Sequence, residues 1–342
     1  PNVRCRRRTP CGLPFATAMK ALILGGGGML GRKLAESLVA DPIAPLERLT
    51  LVDAFVPPAP PAGATMPVDC VTADITDPAA VRTLIEPRPD LVVHLAAVVS
   101  GEAEIDLEKG YAINLDGTRN VLDAIRLVGD GYRPRVVFTS SIAVFGAPFP
   151  DVIDDEFIPQ PLTSYGAQKV MGEMLLSDYS RRGILDGVGL RLPSICVRPG
   201  AANKAASGLF SNIIREPLTG HDVVLPAPRS TRHWFASPRS AVGFMRRAAT
   251  MDTAPLGARR CLNMPGLSAT IQDEIDALER IAGPDCVARI HDEPDELIMA
   301  IVAGWPSNFT AARARALGFE AEASFDEIIR VFIEDELGGV LP

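Results

Sequence analysis

The chain has 342 residues, 47% of them hydrophobic and 22% charged, which fits an ordinary globular protein of about two domains and excludes disordered, collagen-like and coiled-coil classes. Its 34 basic and 42 acidic residues give a net charge of −8, and residues 19–342 alone carry −12, because Arg4, Arg6, Arg7 and Arg8 stand in an opening segment without acids. So acidic a body offers no basic stripe for a phosphate backbone, and the longest uncharged stretch, 297–312, is interrupted by Gly304, Pro306 and Asn308, so neither nucleic acid nor a membrane is an expected partner.

Residues 1–18 break at Pro10 and Pro14 and lack the apolar run of a secretory signal. They read as an upstream extension ahead of Met19, with an Arg-rich transit peptide as the alternative. From residue 20, short apolar runs alternate with amphipathic ones. Strands are predicted over 21–24, 49–52, 68–72, 91–95 and 136–139, and helices over 30–39, 78–85 and 105–127. This is the βαβ rhythm of a doubly wound parallel sheet, an α/β fold of Rossmann type. The Pro57 to Pro61 run must be a surface loop. A helix over 164–179 and a strand over 188–192 follow.

Beyond Pro193 the elements shorten. Helices are predicted over 209–218, 240–249, 271–281, 295–302 and 325–332, with strands near 223–225 and 287–290. We expect an NAD-binding domain over 19–192, with 235–255 packing back on it. A smaller substrate-binding domain takes 193–234 and 256–342, set against the strand ends where open α/β sheets bind ligands. The six cysteines (Cys5, Cys11, Cys70, Cys196, Cys261 and Cys286) form no Cys-x-x-Cys pair, and no His stands at zinc-ligand spacing. The reading is therefore reduced thiols, a cytoplasmic address and no metal.

The chemistry-bearing motifs lie at the predicted strand ends. Gly25-Gly26-Gly27-Gly28-Met29-Leu30-Gly31 follows the first strand and opens a helix, the arrangement in which backbone N–H groups cradle a pyrophosphate. Asp53 ends the next strand 22 residues after Gly31, where a carboxylate accepts from an adenosine ribose. Its charge would repel a 2′-phosphate by roughly 3 kcal/mol at ~5 Å, so NAD is expected over NADP. Asp74 and Ile75 either cap the adenine ring or belong to a helix start.

Tyr165 and Lys169 are four residues apart, on one face of the predicted helix. An ammonium ~4 Å from a phenol supplies energy of the order needed to bring it from pKa 10 toward neutrality. Ser140 and Ser141 end the strand just upstream, where a hydroxyl can hold the substrate oxygen that Tyr165 deprotonates. Asn114 lies on the long helix before that strand, where it either bends the helix or orders a water near Lys169. His233 reads as packing or substrate shaping, Trp305 as a core or interface aromatic, and the acidic run 151–156 as a solvated loop.

Together, Gly-x-x-Gly-x-x-Gly at 25–31, His94-Leu95-Ala96-Ala97, Asn114-x-x-Gly117-Thr118, Ser140-Ser141 before Val144-Phe145-Gly146, Tyr165-x-x-x-Lys169 and Arg191-Leu192-Pro193 resemble the extended short-chain dehydrogenase/reductase family from about residue 20 to 240. The resemblance implies an NAD-bound Rossmann domain, a dimer formed through the helices that hold Asn114 and Tyr165, and catalysis by Ser141, Tyr165 and Lys169 with Asn114 in support. The cofactor would be held by Gly25, Gly28, Met29, Leu30, Gly31 and Asp53, by Asp74 and Ile75, by Leu95, Ala96 and Ala97, and by Tyr165, Lys169 and Pro193. Ser141-Ile142 stands where dehydratases of the family carry an acidic pair, so water elimination has no evident acid and base. Phe145 replaces the Tyr usual before Gly146.

The loop texture of 190–320 is similar to members that oxidise a four-carbon sugar acid at C2. The substrate contacts expected there are Ser141 and Tyr165, with Arg232 as carboxylate anchor and Ser194 and Asn203 on hydroxyls or capping their own loops. A nucleotide-sugar 4-epimerase and a non-catalytic NAD sensor are the competing readings.

Overall fold

The computed structural model describes residues 18–55, 60–200 and 207–341. The opening segment, most of the proline run and Asn203 lie outside them.

The first half alternates as the sequence predicts: β1 (Met19–Leu24), α1 (Met29–Ala40), β2 (Leu46–Asp53), β3 (Val68–Thr72), α2 (Pro78–Ile85) and β4 (Leu91–His94). The predicted 105–127 helix is broken instead into α3 (Ser100–Ile105), α4 (Leu107–Gly110), a π-helical stretch Tyr111–Gly117 and α5 (Thr118–Val128). Asp106 restarts the chain by accepting from the Lys109 N–H, and Gly117 sits so close to Ile75 that a Cβ would meet its side chain at 2.7 Å. Then come β5 (Arg135–Ser141), α6 (Ser164–Arg181) and β6 (Asp186–Leu192).

The second half adds β7 (Ser194–Ile195), α7 (Gly208–Leu218), β8 (Val223–Leu225), β9 (Arg232–Ala236), α8 (Pro238–Thr250), β10 (Cys261–Asn263), β11 (Leu267–Thr270), α9 (Ile271–Ala282), α10 (Pro284–Val287), β12 (Ile290–Asp292), α11 (Glu296–Ala303), α12 (Ala312–Ala316) and α13 (Phe325–Glu336). The strand expected at 287–290 starts at Ile290, because Pro284 after Gly283 begins a helical turn and Ile290 is the residue that pairs with Val223.

Seven parallel strands form the main sheet in the order β10-β6-β5-β4-β1-β2-β3. Alternate residues of each strand face opposite layers, so both sets must be apolar, and this is why the strands read as unbroken apolar runs. Ile23, Leu49, Leu51, Val93 and Val137 pack with Leu34 and Leu38 of α1 and Phe244 and Met245 of α8. On the other face Leu22, Leu24, Val92, Val136 and Phe138 pack with Val81, Val121, Ile125 and Leu176 of α2, α5 and α6.

A separate core gathers Phe210, Ile213, Leu278, Ile329 and Phe332 from α7, α9 and α13, with Phe235 from the three-stranded sheet β11-β9-β7. The tail is shared between cores: β10 completes the main sheet, and Ala314 and Phe319 pack with α8. The strand order reverses between β1 and β4, which opens a crevice at their C-terminal ends. Among the described residues no helix is long and apolar enough to cross a membrane.

Candidate active site

At that crevice the chain turns sharply after β1. Gly25 has φ +85°, and a Cβ there would stand 2.7 Å from the Ala96 N; at Gly31 a Cβ would stand 2.3 Å from the Gly25 carbonyl oxygen. Side chains are thus excluded where the turn passes β4 and where α1 leaves it. Gly28 caps α1 with no side-chain acceptor, so its first-turn N–H groups face the cleft that Gly25, Gly28, Met29, Leu30 and Gly31 line. This cradle, with its bare backbone donors and glycine contacts, fits a dinucleotide pyrophosphate.

Asp53 lies beside the turn and accepts from the Gly27 N–H at 3.0 Å. Leu95 and Ala97 line the same cleft, while the Ala96 N–H donates to the Leu24 carbonyl. Asp74 accepts from the Thr76 N–H at 2.8 Å, which is a local turn ahead of α2, and Ile75 is buried against Gly117.

The cleft, about 480 Å³, runs on to the ends of β5 and β6 and the start of α6. The two serines part company there. Ser140 is buried and donates to Glu173 at 2.6 Å, and Glu173 in turn holds Arg191. Ser141 accepts from the Ala143 N–H and stabilises the phenolate form of Tyr165. Thr163 caps α6 through the Gly166 N–H, which fixes the helix that presents Tyr165 and Lys169 to the cleft.

The electrostatics differ from expectation. Burial pushes Tyr165 up to about 12, the Ser141 hydrogen bond opposing it, and burial takes Lys169 down to about 8, with Glu173 opposing. Lys169 Nζ donates to the Thr139 carbonyl at 2.9 Å and sits 5.5 Å from the centroid of the Tyr165 ring. In this state desolvation outweighs the ammonium, whose hydrogen bond is made to the strand. Asn114, in the π-helical stretch, accepts from the Val98 N–H at 2.9 Å and donates to Gln168 at 2.7 Å. It ties the segment after β4 to α6, one residue from Lys169.

Ser194 and Pro193 line the far end of the cleft, and Ser194 Oγ lies 2.6 Å from His233 Nε2. Burial lowers His233 to about 3, so it is neutral; its ring stacks on Phe210 and lies 5.2 Å from that of Trp305, which also lines the cleft. Arg232 is not among the lining residues. As the first residue of β9 it is exposed and donates to the Ser268 carbonyl of β11. Among the described residues the arginines that line the cleft are Arg198 and Arg215, neither of which stands in a motif of the sequence.

Residues 21–253 match the NAD dependent epimerase/dehydratase family. The chain belongs to that family. Among NAD-dependent epimerase/dehydratase relatives, D-erythronate dehydrogenase of Cupriavidus necator is 46% identical over 93% of this chain and 98% of its own length. The Haemophilus influenzae protein of that name is 39% identical over 93% of this chain and 100% of its own. A crystal structure described as the nucleoside-diphosphate-sugar epimerase from Agrobacterium tumefaciens is 57% identical, with a TM-score of 0.93 over 98% of this chain and 99% of that one. L-threonine dehydrogenase from Clostridium difficile, 21% identical with a TM-score of 0.82 over 95% of this chain and all of its own, shares the fold. NAD is the family's cofactor, and this chain is an NAD-dependent oxidoreductase of the extended short-chain dehydrogenase/reductase type.

Proposed function

We propose that this enzyme oxidises D-erythronate at C2 to 2-dehydro-D-erythronate. The observation that carries the reading is the near full-length likeness to two proteins named D-erythronate dehydrogenase, in a chain whose Ser141, Tyr165 and Lys169 converge on one cleft.

NAD, when bound, supplies the hydride acceptor; Gly25, Gly28, Met29, Leu30 and Gly31 would hold its pyrophosphate and Asp53 its adenosine ribose. Ser141 holds the C2 hydroxyl. Lys169 with its charge favours the phenolate form of Tyr165, and that phenolate takes the hydroxyl proton and becomes the neutral phenol. Because burial leaves Tyr165 protonated at neutral pH, its use as a base depends on further positive charge, which an oxidised nicotinamide brings. Oxidation therefore accelerates as pH rises.

A nucleotide-sugar 4-epimerase is the second reading, favoured by the description of the 57% identical structure. An epimerase returns the hydride to its substrate and accumulates no NADH. The test offers NAD with D-erythronate, L-threonate, D-glucuronate or UDP-galactose and follows NADH. We expect NADH selectively from D-erythronate, faster at higher pH, and reduced about 100- to 10,000-fold in Tyr165→Phe while NAD affinity persists. Interconversion of UDP-galactose and UDP-glucose without net NADH would replace this reading by the second. The reading includes a homodimer in the cytoplasm.

A further inference from the structure

We propose that Arg198 is the carboxylate anchor of the substrate site, fixed in place by α7. The inference rests on the hydroxy-acid reading above and deepens it.

Arg198 lines the cleft, and the hydrogen-bond partner of its guanidinium among the described residues is a neutral one, the hydroxyl of Ser207, itself a lining residue, at 2.7 Å. It enters no ion pair with an Asp or Glu, and every Asp and Glu of the chain is a described residue. Its neighbour Arg215 is compensated differently: Arg215 reaches Glu216 at 2.7 Å and donates to the Arg198 carbonyl at 2.9 Å.

The backbone of Arg198 is clamped to α7 twice, by that bond and by its own N–H donating to the Ser211 hydroxyl at 3.1 Å. Burial disfavours its cationic form, with Cys196 opposing and the charge of Arg215 adding to the shift. A guanidinium keeps five donors and cannot shed its proton, so a desolvated one without an internal anion is completed by an anion from outside.

The planar fork matches a carboxylate in two parallel bonds, which suits a monocarboxylate small enough to place C2 against Tyr165. The exposed Arg232, whose guanidinium faces Ser268, is not placed to do this. The same cation gives the cleft a preference for acids over neutral polyols of equal size.

The test compares wild type, Arg198→Gln and Arg198→Lys on D-erythronate and on its neutral amide. Each is also examined for stabilisation by glycolate, a minimal 2-hydroxy acid, at saturating NAD. The wild type should prefer acid over amide in kcat/KM. Arg198→Gln should lose about 10- to 100-fold of that preference, mainly through KM, with the amide rate and NAD affinity retained. Arg198→Lys should recover part of it, and glycolate should raise the melting temperature of wild type and not of Arg198→Gln.

An acid-to-amide preference unchanged in Arg198→Gln overturns the anchor and leaves the substrate reading intact. If no variant turns over D-erythronate, the substrate reading fails. The anchor is then judged by glycolate: protection of wild type alone supports it, and equal protection of both proteins, or of neither, overturns it. Should Arg198→Gln fail to fold, the Lys variant decides: an acid-to-amide ratio equal to that of wild type, with unchanged protection by glycolate, overturns the anchor.

Discussion

Lys169 carries its charge where water scarcely reaches, and the fold bears the cost. Its pKa near 8, against an ordinary 10.5, means that the folded chain holds the proton less tightly than the unfolded one. Below pH 8 the full penalty is present; between 8 and 10.5 the unfolded state binds more protons, so this group makes stability rise with pH. Lys169→Met is therefore expected to abolish turnover yet stabilise the protein at pH 7 by about 1 to 3 kcal/mol, measured by urea unfolding. A loss of stability would show that the bond to the Thr139 carbonyl outweighs the desolvation. Glycines 25, 28 and 31, Ser141, Tyr165 and Lys169 were legible as residues of one cleft because each sits in a short motif near a strand end, where local spacing sets the geometry. Arg198 and Arg215 were not. They reach the cleft only because the chain after β6 runs back along α7, and no local pattern encodes that path. Arg232 stands apart from the cleft-lining residues for the same reason: a strand of five residues, paired to β11, carries it there.

Among the elements, α6 shows how one helix serves two surfaces. Gly172 lies so near Phe138 that a Cβ would meet its ring at 2.8 Å, and Lys169, Glu173 and Leu176 are buried on that side. Its other side exposes Met174 and, with Met171, Leu175 and Leu115, forms an apolar groove beside Arg119 and Asp178. Ile105 and Leu107, 85% and 55% exposed, add apolar surface on the short helices before the π-helical stretch. This is the face through which the proposed dimer would form. Light scattering should give the mass of two chains for wild type and one for Met174→Glu; a single-chain mass for wild type would remove the proposal. The apolar periodicity made α1, α2 and α6 legible to within two residues. It missed the π-helical break and the short strands β9, β10 and β11, which long-range pairing rather than local pattern defines.

For the whole molecule, three other buried groups set the response to acid. His94 and His233 are both lowered to about 3 by burial, so below pH 6.5 the unfolded chain takes up protons that the folded one refuses, and stability falls. Glu274 acts in the opposite sense. Burial holds its carboxyl well above the usual 4.5, with Asp273 adding to the shift, so the folded chain is protonated where the unfolded one is not, and its contribution fades as pH rises. Each group changes stability by roughly 1.4 kcal/mol per pH unit inside its window. Two histidines outweigh one carboxyl, so the three together make stability rise with pH up to about 6.5. Urea unfolding from about pH 5 to 6.5 should show that rise, and Glu274→Gln should steepen it. A wild-type curve that falls between about pH 5 and 6.5 would contradict the assignment.

The division of the apolar interior has one more consequence. Cys261 belongs to the core beneath the main sheet and Cys196 to the core around α7 and α9, and burial pushes both thiols well above their ordinary range. Neither presents a thiolate to an alkylating reagent until its own surroundings open. Cys70 is exposed and Cys286 half-buried, so both meet the reagent early. The later modifications then time the breathing of two regions separately, and NAD and the hydroxy acid can be asked which of the two each one quiets.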